Sequence, residues 1–132
     1  MGIEQNKELV TKTWNAFVKG DIKTAFDNMS DQVSWLVPGS IPNVSGVHKG
    51  KESIVAFLRA IGPAVPNGMQ TEIRRVYGDG DAVLVELTNR AKTAKGRDYE
   101  NEYCFVFELE GGKIRRIREY TDTAKAKAIL FD

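Results

Sequence analysis

The stretch Tyr99-Glu100-Asn101-Glu102-Tyr103-Cys104-Phe105-Val106-Phe107-Glu108-Leu109 decides the fold. Its odd positions are Tyr99, Asn101, Tyr103, Phe105, Phe107 and Leu109; its even ones are Glu100, Glu102, Cys104, Val106 and Glu108. Strict period-two alternation is the mark of a strand with one face inward and the other, here acidic, outward. Asn101 is then the one amide on a face of aromatics. A buried amide must be hydrogen-bonded, either to protein or to a ligand.

Working outward from this strand, the second half of the chain reads as a meander. Met69 to Tyr77 is followed by the hairpin turn signal Gly78-Asp79-Gly80-Asp81, then by a strand over Ala82 to Arg90 and a turn near Lys95-Gly96. After Glu110-Gly111-Gly112, Lys113 to Thr121 pairs back, and Asp122 to Phe131 forms a terminal helix capped by Asp122. The first half has a helical rhythm. Val10, Trp14, Phe17 and Val18 recur at helical spacing between Glu4 and Lys19; Gly20 ends that helix and Asp21 caps the next, over Ile22 to Met29. A strand at Val33 to Val37 and a loop or irregular hairpin at Ser40 to Lys49 follow. A third helix carries Ile54, Phe57, Leu58 and Ile61 and stops at Gly62-Pro63. Helices first and a meander afterwards specify an α+β fold, residues 1–132 forming one domain.

Composition excludes several classes of function. Nineteen Lys and Arg against eighteen Asp and Glu leave a net charge of +1, which gives no support to a nucleic-acid binder. No apolar run approaches the length of a membrane span and no signal-peptide pattern opens the chain, so a soluble cytoplasmic protein is expected, with no membrane partner. A single cysteine, Cys104, rules out an internal disulfide and any CxxC metal site; with one histidine and scattered carboxylates, no metal is implied. Gly78-Asp79-Gly80 lacks the spacing of a nucleotide loop, and no cofactor is expected.

Polar residues that interrupt apolar faces are the candidate site. Val83, Val85 and Leu87 share one face of their strand while Leu84, Glu86, Thr88 and Arg90 share the other, so both faces need cover, from a helix or from a second subunit. In the last strand Ile117 and Glu119 lie together, and Ile114 breaks the alternation as a bulge would. Carboxylates turned inward at Glu86 and Glu119 must be paired, hydrogen-bonded or protonated, and a carboxyl in an apolar pocket acquires a pKa suited to acid–base work. For Glu86 the alternative is a solvated residue or an ion pair with Arg90 or another arginine. His48, in Gly46-Val47-His48-Lys49-Gly50, is either a ligand contact or a solvated or satisfied imidazole. Trp14 matches its helix's apolar stripe and reads as core; Trp35 is divided between core and pocket wall.

The helix-helix-strand-helix order, Trp35-Leu36-Val37-Pro38-Gly39, the segment Gly96 to Tyr103, and the run from Val106 through Gly112-Lys113-Ile114 to Arg118-Glu119-Tyr120-Thr121-Asp122 resemble the SnoaL-like branch of the nuclear transport factor two superfamily. The resemblance covers nearly the whole chain. It implies a cone-shaped, curved antiparallel sheet wrapped around a pocket, closed by three N-terminal helices, with a short C-terminal helix. It also implies a homodimer through the outer sheet face. Its relatives include ketosteroid isomerases, polyketide cyclases and limonene epoxide hydrolases. Where the isomerases place an aspartate base, a tyrosine and a neutral aspartate, this chain has Trp35-Leu36-Val37, Thr13-Trp14 and roughly Cys104. The hydrolase Asp-Arg-Asp positions become Thr88, Glu86 and Glu119, with Trp35 and Val37 in place of the residues that hold water.

The resulting expectation is a small-molecule pocket with acid–base capacity. Glu119 gives or takes a proton and Glu86 tunes its charge or fixes a water. Arg90 balances the acids or holds an anionic group, and Asn101 and Tyr103 orient a ligand oxygen. Trp35, Val37, Trp14 and Phe57 form the apolar wall. A binding protein without catalysis and a dimeric scaffold with a vestigial cavity are the alternatives.

Overall fold

The computed structural model describes residues 2–132. Helix α1 (Ile3–Val18) is followed by α2 (Ile22–Asp27), strand β1 (Met29–Val37), the short β2 (Gly46–Lys49) and α3 (Gly50–Ile61). Strands β3 (Gln70–Asp79), β4 (Ala82–Lys92), β5 (Asp98–Glu110) and β6 (Lys113–Thr121) form the meander, and α4 (Thr123–Ala126) runs into a π-helical turn at Lys127–Phe131. The boundaries follow local chemistry. Gly20 leaves α1 with φ of +83°, a conformation open to glycine at little cost, and the Asp21 carboxylate accepts a hydrogen bond from the Thr24 amide at 3.2 Å to start α2. Asp122 caps α4 in the same way, accepting from the Lys125 amide at 3.0 Å.

The six strands form one curved, unclosed sheet in the order β2-β1-β6-β5-β4-β3. The expectation of an antiparallel sheet needs one correction: β1 and β6 pair in parallel, Trp35 standing opposite Ile117. Parallel neighbours require a crossover connection, and here α3 and the three strands β3 to β5 supply it. The segment expected as loop or irregular hairpin includes a true strand, β2, pairing antiparallel to β1 with Trp35 opposite His48.

Alternation along the strands sorts the two faces. Val83, Val85, Leu87, Tyr99, Phe105, Phe107, Ile114 and Ile117 are all buried on the concave side, where α1 and α3 cover them together with Val10, Trp14, Ile54 and Phe57. The convex side is a lattice of charge. Arg90 pairs with Glu72 at 3.0 Å and Glu100 at 2.6 Å, and Arg118 and Arg116 both reach Glu108. Among these charges Leu84, Cys104 and Val106 are half-buried. The second face of β4 is thus only lightly apolar, and ion pairs dress most of it.

Candidate functional site

The position of Glu119 is set by a bulge. Phe107 opposes Ile117 and Glu108 opposes Arg116, but Leu109 opposes Ile114, so Arg115 is the extra residue. The bulge lets both Ile114 and Ile117 point inward, and two residues further on Glu119 points inward as well, opposite Phe105. This is the bulge expected from the broken alternation at Ile114.

Glu119 lines a cavity of about 490 Å³ on the concave side of the sheet. Trp14, Phe17, Trp35, Val37, Phe57 and Phe105 are among its apolar wall residues, and Leu130 and Phe131 line it from the C-terminal turn. The aromatic side chains brace one another: Trp14 lies 4.4 Å from Phe105, and Trp35 meets Phe57 edge-on at 5.3 Å. Among the described residues no Lys, Arg or His forms an ion pair with Glu119; its one hydrogen-bond donor is Trp35 Nε1, at 3.0 Å from Oε1. Removal from water therefore dominates, and it pushes the carboxyl up to about 7, with the indole N–H pulling weakly the other way. A carboxyl that divides its time between acid and base near neutral pH is suited to proton transfer in either direction.

A second polar patch belongs to the same cavity. Thr71, Asn89 and Tyr103 all line it, and the Thr71 hydroxyl donates to Asn89 Oδ1 at 2.6 Å. The Tyr103 hydroxyl lies 2.5 Å from that of Tyr99, and Asn89 also faces it. Burial pushes both phenols above their ordinary value, so both remain protonated at any working pH.

The structure brings some of the expected site residues together and disperses others. Glu119, Trp35, Val37, Tyr103, Trp14 and Phe57 all line the cavity, Trp14 serving as core and wall at once. Glu86 does not. It is exposed on the convex face opposite Arg75, with Tyr77 nearby, because inward Val85 and Leu87 force the residue between them outward. Arg90 is on that face too, engaged by Glu72 and Glu100, and holds nothing in the cavity. Asn101 is buried on the concave side but does not reach the wall. Its Nδ2 donates to Tyr99 Oη at 2.9 Å and to the Asp122 carbonyl at 3.0 Å, while its Oδ1 accepts from the Glu102 amide. His48 lies behind the wall, stacked on Phe57 at 4.4 Å and 15°, with Nε2 donating to the Val44 carbonyl at 2.7 Å. It steadies Phe57 and is not part of this cavity's wall.

Asn89, Thr71, Thr121 and Thr123 are wall residues that the sequence reading missed. For Asn89 the signal was present: it continues the face of Val83, Val85 and Leu87, just as Asn101 interrupts the aromatic face of β5. Among the described residues no cluster of three His, Cys, Asp or Glu side chains could hold a metal ion, and no helix is long and apolar enough to cross a membrane.

Comparison with known proteins places this geometry in a family. Residues 10–117 match the SnoaL-like domain, and the chain belongs to that family. A protein from a soil-derived mobile gene cassette has a similar structure, with TM-score 0.88 and 28% identity over 97% of this chain and 98% of that one. A nuclear transport factor two-like protein of unknown function from Burkholderia pseudomallei superposes with TM-score 0.91 over all of both chains at 20% identity. An LEH-like epoxide hydrolase of Mycobacterium tuberculosis is similar at TM-score 0.76 and 24% identity, over 97% of this chain and 90% of that one. At these last two identities the likeness is one of fold.

Proposed function

We propose that the protein binds a small, largely apolar, oxygenated molecule in the concave cavity and exchanges a proton with it through Glu119, as an isomerase, hydrolase or cyclase would. The observation that carries this reading is a carboxyl without a cationic partner, held in an aromatic cavity and poised near neutrality. Family membership supports a small-molecule pocket, since epoxide hydrolases and polyketide cyclases share the fold. The hydrolase constellation itself does not transfer, because Thr88 and Glu86 stand on the convex face. The reading includes a cytoplasmic homodimer joined through that face, where Tyr77 and Tyr120 are exposed beside Leu84 and Val106.

The test is a panel of apolar ketones, esters, epoxides and phenols, scored first by thermal shift. Ligands that bind only the folded state raise Tm in proportion to ln(1 + [L]/Kd). Hits are then followed for turnover with wild type and with Glu119→Gln, which keeps the shape and removes the titrating charge. A catalytic Glu119 shows a loss of about 100-fold or more in kcat with ligand binding retained. Binding with equal turnover in the variant overturns the acid–base role and leaves a carrier; no shift from any compound overturns the ligand site.

A further inference from the structure

The hydrogen-bond chain behind the cavity has a direction, and its direction can be counted. It begins at Asn101, whose amide orientation is unambiguous: the Asp122 carbonyl can only accept and the Glu102 N–H can only donate, so Nδ2 faces the first and Oδ1 the second. The remaining Nδ2 hydrogen goes to Tyr99 Oη at 2.9 Å. Tyr99 is fully buried, and among the described residues its hydroxyl meets only Asn101 and Tyr103. Its own hydrogen therefore has one destination, the Tyr103 oxygen 2.5 Å away; the reverse polarity would strand a hydroxyl hydrogen in the core. Asn89 accepts from Thr71 through Oδ1, which turns its NH₂ toward Tyr103. The Tyr103 oxygen is thus supplied with donors from the protein side, and its own hydrogen is left over. Tyr103 lines the cavity, and Glu119, nearby, receives a hydrogen bond from Trp35 but none from Tyr103.

We infer that Tyr103 is a committed hydrogen-bond donor into the cavity, and that the ligand is a neutral carbonyl compound with an apolar body whose oxygen accepts from Tyr103. The inference rests on the reading of the cavity as a ligand site and names the ligand class for it. Neutrality follows from the wall: its only cationic side chain among the described residues is Lys19, which is exposed, while Glu119, once ionised, adds a negative charge inside. An anionic ligand has no partner there. A hydrocarbon leaves the Tyr103 hydrogen unpaired, and a carbonyl satisfies it.

Three probes of one shape test this at pH 8: 2-acetylnaphthalene, its hydrocarbon isostere 2-isopropenylnaphthalene, and 2-naphthoate. The ketone should bind wild type about fivefold or more tightly than the hydrocarbon, as one hydrogen bond gives, and the naphthoate should bind worst. The carbonyl stretch of the bound ketone should fall below its value in an apolar solvent. Tyr103→Phe should abolish both the preference and the frequency shift while the hydrocarbon still binds. Equal binding of ketone and hydrocarbon, an unshifted carbonyl in wild type, or a preference that survives Tyr103→Phe overturns the donor assignment and leaves the cavity as a ligand site. Failure of every probe to bind wild type overturns the ligand site and the inference together. The infrared shift needs no variant, so a Tyr103→Phe protein that fails to fold leaves the test decisive.

Discussion

Glu119 is held near neutrality by desolvation that nothing compensates except one indole N–H. Its carboxyl binds a proton more tightly folded than unfolded, so its contribution to stability is full below about pH 4.5, falls as pH rises, and is lost as pH passes through about 7. Between pH 5 and pH 8 the cost amounts to about 2 kcal/mol. Glu119→Gln cannot titrate, so chemical denaturation should show this slope in wild type and a flatter profile in the variant. An identical pH dependence in both would place the carboxyl in water. Trp35→Phe tests the opposing contribution. Without the Nε1–H donor the Glu119 midpoint should rise above its wild-type position, whereas a midpoint that falls would mean another donor dominates.

At the scale of elements, β4 and β5 show what alternation in the sequence can and cannot decide. The aromatic face of β5 was legible because every even position is polar or small enough to face outward, and the bulge at Arg115 was legible because Ile114 and Ile117 cannot share a face by simple alternation. On β4 both faces hold apolar residues, so Glu86 could be assigned to either, and a one-residue step carries it from cavity to convex surface. Alternation also reports a face without depth: Asn101 is inward yet spent on Tyr99 and Asp122, and only the folded sheet shows that Asn89, one strand over, reaches the wall. The parallel pairing of β1 with β6 links residues 84 apart through Trp35 and Glu119, a juxtaposition no local pattern contains. The packing of α1 on β3 gives a direct test. A Cβ on Gly78 would clash with Ile3 Cγ2 and stand 3.2 Å from Lys7 Cδ. Gly78→Ala should therefore cost about 1–2 kcal/mol. Adding Ile3→Ala should return part of it, the double-mutant cycle reporting the clash; strictly additive losses would show that α1 already stands clear of β3.

For the whole molecule, the sheet is the instrument that makes the site. Its curvature turns one face into a container, α1 and α3 cover that container, and the C-terminal turn brings Leu130 and Phe131 over it. The homodimer proposed through the convex face should give a mass near twice 14.7 kDa by light scattering at micromolar concentration. Tyr120→Asp, which adds a charge to the exposed strip, should shift that mass toward the monomer; a monomer at all concentrations would remove the dimer. The most direct test of the account is the ionisation of the cavity carboxyl itself. In a ¹³C-carboxyl NMR titration, with the Glu119 resonance assigned by its loss in Glu119→Gln, the account requires a midpoint near 7. A midpoint at the ordinary glutamate value of about 4.5 would show a solvated side chain and contradict it.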